Sequence, residues 1–214
     1  MSFPFQAILF DLDGTLVDSL PGITWAAQAA LTDVLPGVGL PDLMSYVGPP
    51  IREIFLRALG IEDPGMLDAL EAAFRRHYNS EGWLHTVAYD GVSETLAVLH
   101  EAGVRLGVVT NKPLAPTRSI LAHLDLTRFM EIVMTPDSVA PAYINKASAL
   151  AAVLSAQTLV PSSTLFVGDS SDDAAAAAAC GVPFAAVTYG YGDAAFQTAH
   201  PTHVKLESFG SLLP

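Results

Sequence analysis

Ala7-Ile8-Leu9-Phe10-Asp11-Leu12-Asp13-Gly14-Thr15 runs from an unbroken apolar tetrad straight into two carboxylates. The apolar run, residues 5–11, reads as a strand buried on both faces. At the end of a strand, Asp11 and Asp13 lie on the same side of the backbone while Leu12 points the other way. Two like charges held so close are unfavourable unless a cation or a shared proton compensates. The segment therefore calls for a divalent metal, an unusual protonation state, or both.

After this strand, no strong strand signal appears for some seventy residues. Helices are expected at 18–33, 50–59 and 65–79, with Pro36, Gly37, Gly39 and Pro41 breaking the chain between the first two. In the second, Ile51, Ile54, Phe55, Leu56 and Leu59 recur at helical spacing. From about residue 88 the pattern changes. Helices at 92–102, 114–123, 146–156 and 172–180 alternate with short apolar strands at 105–110, 131–135, 164–168 and 184–188. A final short helix is expected at 206–213. Such alternation predicts an α/β fold: a doubly wound, Rossmann-like parallel sheet with helices on both faces. Residues 1–15 and 88–214 would form this core, and residues 16–87 an inserted all-helical cap domain.

Bulk properties agree. The chain has 214 residues, 51% hydrophobic and 15% charged, enough for a core domain and a small second one. The formal charge of -12 argues against nucleic acid, because phosphate backbones demand Lys/Arg surfaces. Lysine is scarce: Lys112, Lys146 and Lys205 are the only three. Cys180 is the sole cysteine, so an intrachain disulfide is excluded. No basic region precedes the first apolar run, and the longest apolar stretch, 174–187, contains Gly181 and Pro183. The expectation is a cytoplasmic protein with no membrane partner.

In open α/β sheets, ligands bind beyond the carboxyl ends of the strands. The first strand delivers Asp11 and Asp13 there. The second core strand delivers Thr110 and Asn111, followed by Lys112. The strand at 164–168 delivers Asp169 and, one helical turn on, Asp173; Lys146 starts the helix before it. Several carboxylates make a hard oxygen site suited to Mg²⁺. A hydroxyl, an amide and an ammonium can hold phosphate oxygens. One carboxylate is a competent nucleophile for phosphoryl transfer, and a second can move the proton.

Here the chain resembles the haloacid dehalogenase superfamily of phosphatases. Asp11-Leu12-Asp13-Gly14-Thr15 is similar to its first motif, Thr110-Asn111 to the second, Lys146 to the third, and Gly168-Asp169-Ser170-Ser171-Asp172-Asp173 to the fourth. The resemblance implies Asp11 as nucleophile and Asp13 as general acid/base. It implies Mg²⁺ held by the Asp11 carboxylate, the Asp13 backbone carbonyl and Asp169, with Asp173 acting through water or a hydrogen bond. Thr110, Asn111 and Lys146 would bind the phosphoryl group, and Gly14 would lie against the substrate. The third motif departs from the Lys-Pro-x-Pro of many relatives. Lys146 is followed by Ala147-Ser148, and prolines stand upstream at Pro136 and Pro141.

The helical insertion resembles the cap of the subgroup that inserts after the first strand. Tyr46-Val47-Gly48-Pro49-Pro50-Ile51-Arg52, Val109-Thr110-Asn111-Lys112-Pro113 and Thr188-Tyr189-Gly190-Tyr191-Gly192 resemble the phosphoglycolate phosphatase branch. Arg52 is the candidate grip for a substrate carboxylate, with a snorkelling surface arginine as the plain alternative. Lys112 either contacts the substrate or only steers anions. Asp172 reads as a helix-start charge, and Trp25 and Trp83 as packing of the cap.

Other chemistries fail on their spacing. Asp172 stands where a serine-hydrolase elbow needs its final glycine. Gly190-Tyr191-Gly192 is too short for a dinucleotide fingerprint, and His200-Pro201-Thr202-His203 is too irregular for a metal site. The expected function is a Mg²⁺-dependent phosphatase acting on a small phosphorylated metabolite through an aspartyl-phosphate, as monomer or homodimer. A phosphotransferase or mutase of the same fold, and a non-catalytic phosphate-binding regulator, are the alternatives.

Overall fold

The structure is a computed structural model and describes residues 3–140, 142–192, 196 and 204–213. It contains two compact units: Met1–Asp18 with Ala88–Pro214, and Ser19–Val87.

The first unit is α/β. Its strands are β1 (Ala7–Phe10), the short β2 (Val17–Asp18) and, after the second unit, β3 (Val87–Ala88), where the chain returns; then β4 (Arg105–Val109), β5 (Ile132–Met134), β6 (Thr164–Gly168), β7 (Phe184–Val187) and β8 (Val204–Leu206). Six of them form one sheet in the order β5-β4-β1-β6-β7-β8, parallel throughout. The chain winds outward from β1 to β4 and β5, then returns to the other side of β1 with β6. Leu9 therefore lies between Gly107 and Phe166 in register. Strand order reverses at β1, so the ligand crevice of this fold lies beyond the carboxyl ends of β1, β4 and β6.

The sheet is buried on both faces, which is why its strands read as continuous apolar runs. Leu9, Val109 and Phe166 pack with Leu150 and Val153 from one helix and Ala174 and Ala177 from another. The alternate residues Ile8, Phe10, Leu106 and Val108 are also buried, as the period of two requires. Truncating a fully buried leucine such as Leu9 to alanine costs about 2–5 kcal/mol.

The helices expected at 114–123 and 146–156 are found with those bounds. The helix expected at 206–213 is not. Val204–Leu206 pairs with β7, from Ala185↔Val204 to Val187↔Leu206, and a 3-10 turn covers Phe209–Leu212. Ser208 and Gly210 leave too few residues for a helical nucleus, while edge pairing satisfies the backbone directly. Phe209 still reaches the core, its ring 5.5 Å from Phe10. Pro141 and His200-Pro201-Thr202-His203 lie outside the described residues.

The second unit is helical: α1 (Leu20–Val34), α2 (Ile51–Leu59) and α3 (Pro64–Ser80), with 3-10 turns at Met44–Tyr46 before α2 and Gly82–His85 after α3. Asp63 caps α3 by accepting the Met66 N–H at 2.7 Å, and Pro64 occupies the first helical position. Ala26, Ala30, Leu31, Phe55, Leu70 and Phe74 form its core, and Phe74 stacks on Tyr78 one turn later at 5.3 Å. Trp25 and Trp83 are partly buried against this core. The surface ties are ionic. Asp33 of α1 accepts from Arg76 at 2.7 Å and lies 2.8 Å from His77, both on α3. Hydrogen bonds from His77 and Arg76 hold the Asp33 carboxyl below its ordinary range.

The helices of the α/β unit continue the numbering: α4 (Val92–Glu101), α5 (Leu114–His123), α6 (Lys146–Ala156) and α7 (Ser171–Cys180).

Candidate active site

Asp11 follows the last residue of β1, its N–H donating to Val167 O at 2.9 Å across the sheet. It is 7% exposed. Beyond it, the Leu12 carbonyl accepts from Leu16 and Val17, and Gly14 N–H donates to Val17 O, which closes a tight turn. Gly14 sits at φ +83, and a Cβ there would lie 2.3 Å from Asp169 Oδ2. The glycine is what lets the first motif approach the fourth this closely.

Asp169 follows β6, and Ser170 caps α7. Ser170 Oγ accepts the Asp173 N–H at 3.3 Å and donates to Asp173 Oδ2 at 2.6 Å, while the Ser170 N–H donates to the same oxygen at 3.1 Å. This capping box turns Asp173 back towards the strand end. Asp11, Asp169 and Asp173 thus converge, with one oxygen from each lying within 4.8 Å of the others. Asp172 faces outward and is exposed, as a helix-start charge.

Lys146 opens α6. Asn145 caps this helix through a second reciprocal box: Asn145 Oδ1 accepts Ser148 N–H at 2.9 Å and Ser148 Oγ accepts Asn145 N–H at 3.3 Å. The helix start is fixed without the proline of the family pattern. The lysine is 5% exposed and donates through Nζ to Asp173 Oδ1 at 2.6 Å. The same Nζ lies 3.0 Å from Asp11 Oδ1, at ion-pair distance. No described donor is directed at Asp11 Oδ1 with hydrogen-bonding geometry.

Burial pushes the Asp11 carboxyl up to about 8; Lys146 pulls it down, and Asp173, Asp169 and Asp13 push it further up. Burial and then Asp173 push Asp169 up to about 7 against the Tyr191 N–H. Burial disfavours the Lys146 ammonium, yet Asp11 and Asp173 outweigh that and raise it. Fully ionised, the three buried carboxylates share one ammonium and would hold excess negative charge, which is why burial favours a proton or a cation there. An all-oxygen set with an undirected Asp11 oxygen and surplus charge fits a hard divalent cation such as Mg²⁺.

Asp13 stands apart from this cluster. Lys112 Nζ donates to both its carboxylate oxygens, at 2.9 and 2.8 Å. Thr110, at the end of β4, is buried, and its Oγ1 accepts the Lys112 N–H at 3.2 Å. Asn111 is half-buried beside it. The core rim therefore brings together Asp11, Asp169, Asp173 and Lys146, and separately Asp13 and Lys112. Arg52 belongs to the helical unit, where its guanidinium is bonded to Asp68 and lies 3.6 Å from Glu71.

The structure adds residues to which the sequence reading gave no role. Thr15 Oγ1 donates to Asp169 Oδ1 at 3.3 Å, and Tyr191 N–H donates to Asp169 Oδ2 at 2.7 Å. Tyr191 O–H donates to Asp18 at 2.8 Å, and Tyr189 O–H to the Thr15 carbonyl at 3.0 Å. A Cβ on Gly190 would lie 2.2 Å from Gly14 O and 2.5 Å from Asp169 Cβ. The Tyr-Gly-Tyr-Gly run thus clasps Asp169, and its alternation of aromatic and glycine residues was the available signal.

A family model described as haloacid dehalogenase-like hydrolase matches residues 8–187, spanning β1 through β7. The chain belongs to the haloacid dehalogenase-like hydrolase family. Among its haloacid dehalogenase-like relatives, the plasmid phosphoglycolate phosphatase of Cupriavidus necator is 37% identical, covering 89% of this chain and 84% of its own. The tyrosine-protein kinase PtkA of Mycobacterium tuberculosis is 36% identical over 89% of this chain, and this chain spans 65% of its length. A crystal structure of a predicted phosphoglycolate phosphatase from Haemophilus somnus superposes with a TM-score of 0.86 at 27% identity, covering 100% of this chain and 98% of that one. Among the described residues, no helix is long and apolar enough to cross a membrane.

Proposed function

We propose that this chain is a Mg²⁺-dependent phosphatase that hydrolyses a small phosphomonoester, with phosphoglycolate as the leading substrate, in the cytoplasm. The observation that carries this reading is Asp11: a buried carboxylate at the strand-order reversal, facing two further buried carboxylates and a buried lysine.

In the proposed reaction an Asp11 oxygen attacks phosphorus as the bond to the leaving oxygen breaks, and Asp13 gives that oxygen its proton. Water then attacks the aspartyl-phosphate, its proton passes to Asp13, and inorganic phosphate leaves as Asp11 is restored. Thr110, Asn111 and Lys146 orient the phosphoryl group, Lys146 also offsetting negative charge on it. Asp11, Asp169 and Asp173, with the Asp13 backbone carbonyl, would hold Mg²⁺, which when bound supplies positive charge to the phosphoryl oxygens. Burial at the rim excludes bulk water from the buried carboxylates and strengthens these interactions. The helical unit serves as the cap that selects substrate. Arg52 would have to exchange Asp68 and Glu71 for a substrate carboxylate, and exposed ion pairs of that kind are worth only about 0–1 kcal/mol.

The test is phosphate release from phosphoglycolate and from 4-nitrophenyl phosphate, with Mg²⁺ and with chelator. Release with Mg²⁺ that stops on chelation supports the reading. No release from either ester under any metal condition would contradict it and favour a phosphate-binding regulator. The similarity to a protein named as a tyrosine kinase motivates a second arm. Transfer from ATP to a tyrosine peptide, without phosphate release, would make the chain a phosphotransferase.

A further inference from the structure

Two buried lysines face the four carboxylates of the rim, and they divide them. Lys146 takes Asp11 and Asp173. Lys112, 99 residues along the chain from its partner, donates to both oxygens of Asp13. A carboxylate held through both oxygens has its plane as well as its position set. The clamp is itself anchored. Lys112 N–H is held by Thr110 Oγ1, and the Lys112 carbonyl accepts from Thr117 Oγ1 at 3.4 Å, a hydroxyl that also donates to Pro113 O at 2.8 Å. The Lys112 side chain is only 7% exposed, so its orientation is fixed by protein rather than by solvent.

We propose that Lys112 is a positioning residue for Asp13 rather than a contact for the substrate. It holds the proton-handling carboxylate in one orientation and keeps it out of the carboxylate cluster two residues away. Proton transfer demands hydrogen-bond reach, and small displacements of a catalytic group are costly to rate. The proposal rests on Asp13 acting as general acid in the proposed phosphatase reaction.

The experiment compares wild type with Lys112→Met on two probes, phosphoglycolate with a poor alkoxide leaving group and 4-nitrophenyl phosphate with a good one. The quantity read is kcat/KM, which reports the steps up to departure of the leaving group. General acid catalysis contributes on the order of 10²–10⁴-fold, so misplacing the acid should lower kcat/KM on phosphoglycolate at least about 10-fold more than on the aryl ester. Lys112→Arg, which can also grip both oxygens, should restore the leaving-group balance, and it serves as the test variant should Lys112→Met lose its thermal transition. An equal loss on both probes, or a loss confined to KM, would overturn the proposal by making Lys112 a phosphoryl or substrate ligand. Absence of phosphate release by wild type would instead overturn the phosphatase reading itself.

Discussion

The two units of this chain use charge in opposite ways. In the α/β unit, Asp11, Lys112, Lys146, Asp169 and Asp173 are all buried. Among the described residues, the helical unit buries no charged side chain; Arg52, Asp68, Asp33 and Arg76 pair on its surface. Burying charge is expensive unless it is paired. The α/β unit therefore carries an electrostatic cost concentrated at one rim, where the cost has a chemical use. The helical unit is held by apolar packing and by pairs that solvent screens. In the proposed reaction the chemistry belongs to the first unit.

Glycines sharpen this contrast most. A Cβ on Gly190 would press on Gly14 and Asp169, whereas Gly60, at φ +66 where α2 ends, has nothing within 4 Å. Overpacking typically costs about 1–3 kcal/mol and occasionally more, so Gly190→Ala should lose at least that in denaturant unfolding and weaken divalent-metal binding. Gly60→Ala should cost about 1 kcal/mol, from backbone conformation alone, and leave metal binding unchanged. Equal effects on metal affinity would break the contrast.

The next effect concerns pH. Asp11 and Asp169 keep protons in the folded chain at pH values where the unfolded chain has released them, near 3.8. Their contribution to stability is full below about pH 4 and is lost as pH rises through about 7 and 8. In chelator, the melting temperature should fall between pH 5 and pH 8 through these groups. Added Mg²⁺, which replaces the protons, should stabilise more at pH 8 than at pH 5. A Mg²⁺ effect larger at pH 5 would contradict the assignment of these carboxylates. Asp33 has the opposite sign: its lowered pKa contributes above the unfolded value and is lost in acid.

The smallest effect lies on the helical surface. Arg52→Ala removes pairs to Asp68 and Glu71 and should change stability by less than about 1 kcal/mol. If Arg52 holds a substrate carboxylate, KM for phosphoglycolate rises while that for 4-nitrophenyl phosphate stays put. A parallel rise in both would remove Arg52 from substrate selection.

Within the α/β unit, some features were legible in the sequence and others were not. The strand at Ala7–Phe10 and the helix at Lys146–Ala156 could be read because apolar periodicity and burial agree there. Residues 204–212 could not, because Leu206 and Phe209 satisfy a helical spacing and an edge strand with a 3-10 turn equally well. The carboxylates of the rim were visible as residue types at strand ends. Their pairing was not: nothing local to Lys112 says that its partner is Asp13. The capping box of Asn145 and Ser148, seen only in the structure, explains how Lys146 is placed without the family's proline.

Central to the account is Asp11 as the group that accepts the phosphoryl. Acid quenching during turnover, followed by mass spectrometry of the peptide spanning residues 7–15, reads this directly. The account predicts one added phosphoryl group on Asp11 in wild type, absent with Asp11→Asn, which should also release no phosphate. A phosphoryl group on another residue, or sustained phosphate release by Asp11→Asn, would contradict it.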